Sequence, residues 1–259
     1  MSILAQACRL LLVGVFALGS RAARAAPGDA VLSYTLTMDG KSVGKRDVTI
    51  TTMAAEANAT PPRVLSSYTT LSVSIAGVPW TFQQRASALV RDGRSSFTSS
   101  VNENGTLREV QSRQLSDGSW TVVVVEKGST GSGNLRASEV DLTSMDLFDP
   151  ETRTRLTSNS RVKLLASETG TVLEGPVEDL GEGLLRIAGQ DVNVHSYAWT
   201  SAAGRMEFSW SMDGLLVGYQ TSVLGKKIEA QLTQAPAGIS YGDVDDPRQG
   251  LPTVKEEVL

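Results

Sequence analysis

His195 is the single histidine of the chain, set in Asp191-Val-Asn-Val-His-Ser-Tyr-Ala-Trp199. Side chains of an extended strand point alternately to opposite faces. Asp191, Asn193, His195, Tyr197 and Trp199 therefore share one face, and Val192, Val194, Ser196 and Ala198 the other. The first face suits contact with a ligand; read more plainly, it is a half-exposed strand whose rings cover a sheet edge. A Ser-His-Asp triad would have to use His195, and no Gly-x-Ser-x-Gly elbow supplies the serine. Glu178, Asp179 and Glu182 surround Leu180-Gly181 in a Gly/Pro-containing turn. A glycosidase needs two acids at a set separation across a cleft, and nothing in this spacing fixes one. The one cysteine, Cys8, and the one histidine cannot build the usual zinc sites. No catalytic residue, metal or cofactor is assigned.

Aromatic residues carry more. Trp80, Trp120, Trp199 and Trp210 all fall in strand-like text, Phe82 shares a face with Trp80, and Phe208 shares one with Trp210. Met145 and Phe148 are spaced to meet on one face of a helical turn. Such residues either fill a core or line a hollow inside a curved sheet able to take an acyl chain. The candidate ligand-contacting set is Trp80, Phe82, Met145, Phe148, His195, Tyr197, Trp199, Phe208 and Trp210.

Three motifs look like chemistry and are not. Gly128-Ser-Thr-Gly-Ser-Gly133 is followed by Asn134-Leu135 where a phosphate loop needs Lys-Ser/Thr, so it reads as a flexible connection. Ser160-x-x-Lys163 enters a strand, which points the two side chains apart. Asp243-Val-Asp-Asp246 lacks the glycine and distal glutamate of a calcium loop.

The elements that would position these residues are strands. Arg205 to Met212 puts Met206, Phe208, Trp210 and Met212 on one face. Five Asp-Gly or Asn-Gly pairs, beginning at Asp39, Asp92, Asn104, Asp117 and Asp213, punctuate strand-like runs as hairpin turns do. Leu32 to Met38, Val48 to Thr52, Val78 to Ala88 and Trp120 to Val125 alternate or are rich in β-branched residues. The rhythm changes once, at Asp141 to Glu151, where Ser144 and Asp149-Pro150 signal two short helical turns.

Both ends differ from the middle. Arg9, the apolar run Leu10–Leu18 and Ala23-Arg-Ala25 read as a cleaved secretory signal over residues 1–25. Its removal takes the formal charge from −4 to −7, because Arg9, Arg21 and Arg24 leave and no acid does. An acidic chain argues against nucleic acid as a partner. No segment of the mature chain is apolar enough to span a membrane. Residues 235–259 lose all alternation and read as a mobile tail.

The Tyr34-x-Leu-x-x-Asp39-Gly40-x-x-Val43-Gly44 hairpin, the Asp141–Pro150 segment and the closing Trp210-x-x-Asp213-Gly214 meander resemble uncharacterised exported bacterial families of the domain-of-unknown-function type. More distantly, the layout is similar to LolA/LolB-like half-barrels. That resemblance implies a long antiparallel sheet curled around a short helical insertion, with acyl chains held in the concavity. The expected fold is mainly β: one antiparallel, strongly curved half-barrel or near-closed barrel over residues 26–234, with a short helical insertion near 143–155. The expected role is non-catalytic binding of a lipid or other apolar molecule by an envelope protein of the periplasm or exterior. Recognition of an envelope protein or polysaccharide is the alternative, and a hydrolase using His195 or an acid pair the minor one.

Overall fold

A computed structural model describes residues 29–54, 60–75, 77–150, 152–223 and 225–234. The signal segment, the tail and the Asp243–Asp246 motif lie outside the described residues. The strands run β1 (Asp29–Met38), β2 (Lys41–Thr52), β3 (Arg63–Ile75), β4 (Val78–Arg91), β5 (Arg94–Glu103), β6 (Thr106–Gln114), β7 (Trp120–Glu126) and β8 (Ser129–Leu135). After the irregular segment come β9 (Leu142–Thr143), α1 (Thr152–Thr157), β10 (Arg161–Leu165), β11 (Val172–Ile187), β12 (Gln190–Ser201), β13 (Gly204–Ser211), β14 (Leu216–Val223) and β15 (Lys226–Gln234).

All of the strands join one sheet in the order β8-β7-β6-β5-β4-β3-β2-β1-β15-β14-β13-β12-β11-β10-β9. Neighbours are hairpin partners except where β1 pairs with β15 and where β9 lies parallel to β10. The sheet is strongly curved and barrel-like but not closed, with β8 and β9 as its free edges. The fold class expected from the alternation is the one observed.

Local chemistry explains the hairpins. At Asp39-Gly40, Asp92-Gly93 and Asn104-Gly105 both residues have positive φ, the geometry that matches the twist of the flanking strands. At Asp117-Gly118 and Asp213-Gly214 only the glycine does, and a longer loop closes through Leu115 N–H to Ser119 O and Ser211 N–H to Leu215 O. Met212 falls in the second of these loops and is 57% exposed, so it leaves the buried face expected for it.

Two other expectations are corrected. Residues 129–135 form β8 and are not a loop; its side chains are nearly all exposed, so backbone pairing with β7 makes the strand. The acids Glu178, Asp179 and Glu182 lie inside the long strand β11 and not in a turn. Gly181 takes φ +84° there as part of a bulge opposite Tyr197 and Ser196, which lets the strand bend without ending.

The inner face holds the core: Leu32, Val48, Leu65, Phe97, Val110 and Trp120 are almost inaccessible. Tyr34 on β1 donates its hydroxyl to the Leu216 carbonyl on β14 at 2.7 Å, tying the pair that joins the chain's two ends to the next hairpin. The β10–β11 turn reaches across the hollow, where Gly170 packs on Val124, Val110 and Val122 of the opposite wall. That contact bridges the two sides of the open curl without strand pairing. Outside the curl, the far half of the β11–β12 hairpin folds over β14 and β15. Leu185 covers Gly218, and Gln231 donates its side-chain amide to the Arg186 carbonyl. Val192 and Val194 are buried on this side.

Strand backbones approach closely where Gly175 passes Thr200 and Gly44 passes Thr70; a Cβ on either glycine would overlap the neighbouring carbonyl oxygen. Gly175→Ala should therefore lower unfolding free energy by about 1–3 kcal/mol, read as a drop in the urea midpoint at unchanged slope. An unchanged midpoint would mean that the two strands have room for a side chain there.

Candidate functional site

A cavity of about 530 Å³ lies within the curl. In-register residues share a face, so the strand pairings stack its wall in rows. Leu36, Gly44, Leu71 and Phe82 form one row, and Val73 and Trp80 the next. Met206, Phe208, Leu216 and Ile228 line the opposite wall. Exposed Ala203, Thr169 and Ser222 mark the mouth. Beneath Leu71 and Phe82 comes a row of another kind: Arg46 on β2, Thr69 on β3 and Gln84 on β4. Below it the packed core resumes at Val48, Ser67 and Ala86.

The segment Leu142–Asp149 crosses the hollow and forms its floor. Asp146, buried, accepts the Thr143 backbone N–H at 2.8 Å and the Ser95 hydroxyl at 3.0 Å. Asp149, also buried, takes two donors from Arg63 at 2.9 and 3.1 Å. In place of the helix cap its spacing suggests, Ser144 donates to the Ser167 hydroxyl at 2.8 Å and accepts the Ser167 N–H at 2.9 Å. Residues 146–148 make a single tight turn in place of the first expected helical turn, and α1 supplies the second.

Arg46 organises the polar row. Its Nε donates to the Thr69 hydroxyl at 2.6 Å and its Nη2 to the Gln84 side-chain oxygen at 3.3 Å. Gln84 passes the chain on, donating to the Ser99 and Ser167 hydroxyls, both at 3.1 Å. The guanidinium carbon lies 5.3 Å from the Phe148 ring centre and 5.6 Å from that of Tyr219, within cation–π range of both. Burial pushes the Tyr219 hydroxyl's pKa up; Arg46 opposes the rise and Glu168 adds to it.

Of the nine candidate residues, the structure places Trp80, Phe82, Met145, Phe148, Trp199 and Phe208 on the cavity wall. Trp80 stacks on Phe82 at 5.9 Å and donates its indole N–H to Glu103 at 3.1 Å. Trp199 is bound to its own wall by an indole N–H bond to the Val162 carbonyl at 3.1 Å. His195, Tyr197 and Trp210 share the inner face of β12 and β13 but not the cavity. His195 Nε2 lies 2.6 Å from Asp179, and the ring stacks on Tyr197 at 4.7 Å. Among the described residues its other nitrogen meets no hydroxyl, so this pair carries no nucleophile. The acids also disperse: Glu178 pairs with Arg205, Asp179 with His195, and Glu182 is exposed. Among the described residues no three His, Cys, Asp or Glu side chains gather to hold a metal.

Arg46, Thr69 and Gln84 are absent from the candidate set although a signal for two of them is present in the sequence. Arg46 is in phase with Val48 and Ile50, and Gln84 with Phe82 and Ala86. A polar residue interrupting an inward apolar phase is that signal.

The family profile "Domain of unknown function (DUF6134)" matches residues 34–233. The chain belongs to the DUF6134 family. No curated protein matches the sequence. Among solved structures, the DUF6134 chain is similar to a beta-barrel-like protein of domain of unknown function DUF1849 from Brucella abortus. The TM-score is 0.60 at 11% identity, over 81% of this chain and 97% of that one. A Bacteroides fragilis protein with a YmcC-like fold covers 80% of this chain and 95% of its own at 9% identity, but the TM-score of 0.36 is too low to argue from. The Brucella likeness shows the DUF6134 fold and no more. Among the described residues no helix is long and apolar enough to cross a membrane.

Burial also pushes the Asp146 carboxyl above its ordinary range, against the pull of the Thr143 N–H, Arg155 and Ser95. Proton binding to Asp146 then favours the fold: the gain is complete below the unfolded-chain value and fades as pH rises through the raised one. Asp146→Asn abolishes that dependence. Urea unfolding should show wild type losing stability relative to the variant as pH rises above the ordinary aspartate value of about 4. A difference independent of pH would place the carboxyl in a wetter site.

Proposed function

We propose that this chain is a non-catalytic carrier or receptor that holds an apolar or amphipathic molecule in the concavity of its sheet. The observation that carries this reading is the cavity itself. A volume of about 530 Å³ walled by Leu71, Trp80, Phe82, Met206 and Phe208 lies in the range of ligand sites, and it has a few convergent polar groups at one end. A packed interior has few voids larger than a water molecule, so an apolar hollow of this size is better suited to an apolar occupant than to water. The layout of the residue order, which is distantly similar to LolA/LolB-like half-barrels, supports a lipid-like ligand by analogy. The Arg9–Ala25 segment supports export to the periplasm or exterior, where such a carrier would meet envelope lipids.

One observation favours a second reading, an interaction module. Strand β8 is a free sheet edge with exposed, mostly small polar side chains, a geometry that accepts an added strand.

The neutral fluorophore N-phenylnaphthylamine reports the first reading directly, since its emission rises in apolar surroundings. It should bind the wild-type chain stoichiometrically. Met206→Trp, which puts an indole into the hollow, should weaken binding by about tenfold or more while leaving the unfolding free energy within about 1 kcal/mol of wild type. Absence of binding, or equal binding by the filled variant, would reject the cavity as the site.

A further inference from the structure

The cavity holds two arginines in unlike circumstances. Arg205, at the mouth, pairs with Glu178 at 2.9 Å and Glu207 at 3.0 Å. Arg46, on the row below Leu71 and Phe82, has no carboxylate within 4 Å among the described residues. Its neighbours are a hydroxyl, an amide oxygen and two aromatic faces. A guanidinium cannot shed its proton in a protein. A half-buried cation with only neutral partners forgoes most of its hydration without gaining a counter-charge. Thr69, Gln84 and the two rings fix its plane, and they engage fewer than its five N–H donors. The Tyr219 ring packs against it, with a hydroxyl that lines the same space.

Taken with the apolar wall above, we propose that Arg46 receives the oxyanion head of an amphipathic acid, a carboxylate or phosphate monoester on a hydrocarbon chain. The chain then lies against Leu71, Phe82, Trp80 and Met206 toward the mouth. The head group would complete the polar row Thr69–Arg46–Gln84–Ser167 and supply the missing negative charge. Forked N–H donors suit either oxyanion. Glu103, beside Trp80 on the wall above, disfavours an anion there relative to one on Arg46, whereas Glu168 lines the cavity closer to the Arg46–Tyr219 pair. This inference rests on the cavity being the binding site and adds the class of ligand and its direction of entry, head first.

The test is displacement of N-phenylnaphthylamine by ligands of one chain length and different heads: dodecanoate, dodecyl phosphate, dodecanol and dodecyltrimethylammonium, with inorganic phosphate alone. Wild type should prefer dodecanoate or dodecyl phosphate to dodecanol by on the order of 10- to 100-fold, and should take the cationic amphiphile worst. The acid that wins identifies the head. Arg46→Met should bind acid and alcohol alike; Arg46→Lys should keep part of the preference.

A wild type blind to head charge, or an Arg46→Met that still prefers the acid, would overturn the proposal while leaving the cavity as a site. The head-group series is read on the wild-type chain, so it decides the matter even if a variant fails to fold. Displacement by inorganic phosphate, without preference for dodecanoate or dodecyl phosphate over dodecanol, would assign Arg46 to a free anion and equally overturn it. Failure of every ligand, dodecanol included, would instead remove the cavity reading on which the proposal rests.

Discussion

A sheet that curls on itself encloses more space than its own inward side chains fill, and the chain meets that excess with one irregular segment. Asp146 and Asp149 pin the segment in place. The first is held by a backbone N–H and Ser95, the second by two donors of Arg63, and both carboxylates are buried. Because buried carboxylates are costly unless their lone pairs are met, the segment has few alternative seats. It brings Phe148 against Tyr34 and Tyr219, at 6.0 and 6.2 Å between ring centres, and so fixes where the packed core ends and the open space begins.

The same segment sets the electrostatics. Phe148 forms one of the two ring faces around Arg46, and Ser144 links through Ser167 to Gln84 and thence to the guanidinium. One continuous hydrogen-bonded row thus runs between the core and the hollow. Its members support one another in a medium of low polarity, where each bond is stronger than in water and each vacancy dearer. Rigidity at the floor and apolar walls above it are what a site for an amphipathic molecule requires. Chemistry is sparse by comparison: the His195–Asp179 pair lies beyond the cavity, and it fixes a ring to the sheet.

Much of this is legible in the residue order. Asp39-Gly40, Asp92-Gly93 and Asn104-Gly105 specify their turns because few other pairs accept positive φ twice. The inward phases of β4 and β13 follow from strict alternation. What is not legible is hidden for physical reasons. Ser129–Leu135 carries no side-chain signature of a strand, and only the β7 backbone beside it makes it one. The bulge at Gly181 reads like a turn because both need positive φ, and pairing with β12 decides between them. Ser144 has the look of a cap, but the partner that takes its hydroxyl, Ser167, lies 23 residues away. Arg46 sits among alternating apolar residues as an apparent blemish, and its role emerges only when Thr69, Gln84 and Phe148 are brought to it from three other elements.

The most direct measurement of the central claim is a crystal structure of the protein grown with an ω-brominated fatty acid, read by anomalous scattering of the bromine. An occupied hollow should show the bromine peak between Trp80 and Met206 and the carboxylate at the Arg46 guanidinium. A structure with no anomalous peak in the concavity, and with Phe82 and Met206 collapsed into that space, would show a closed core and contradict the account.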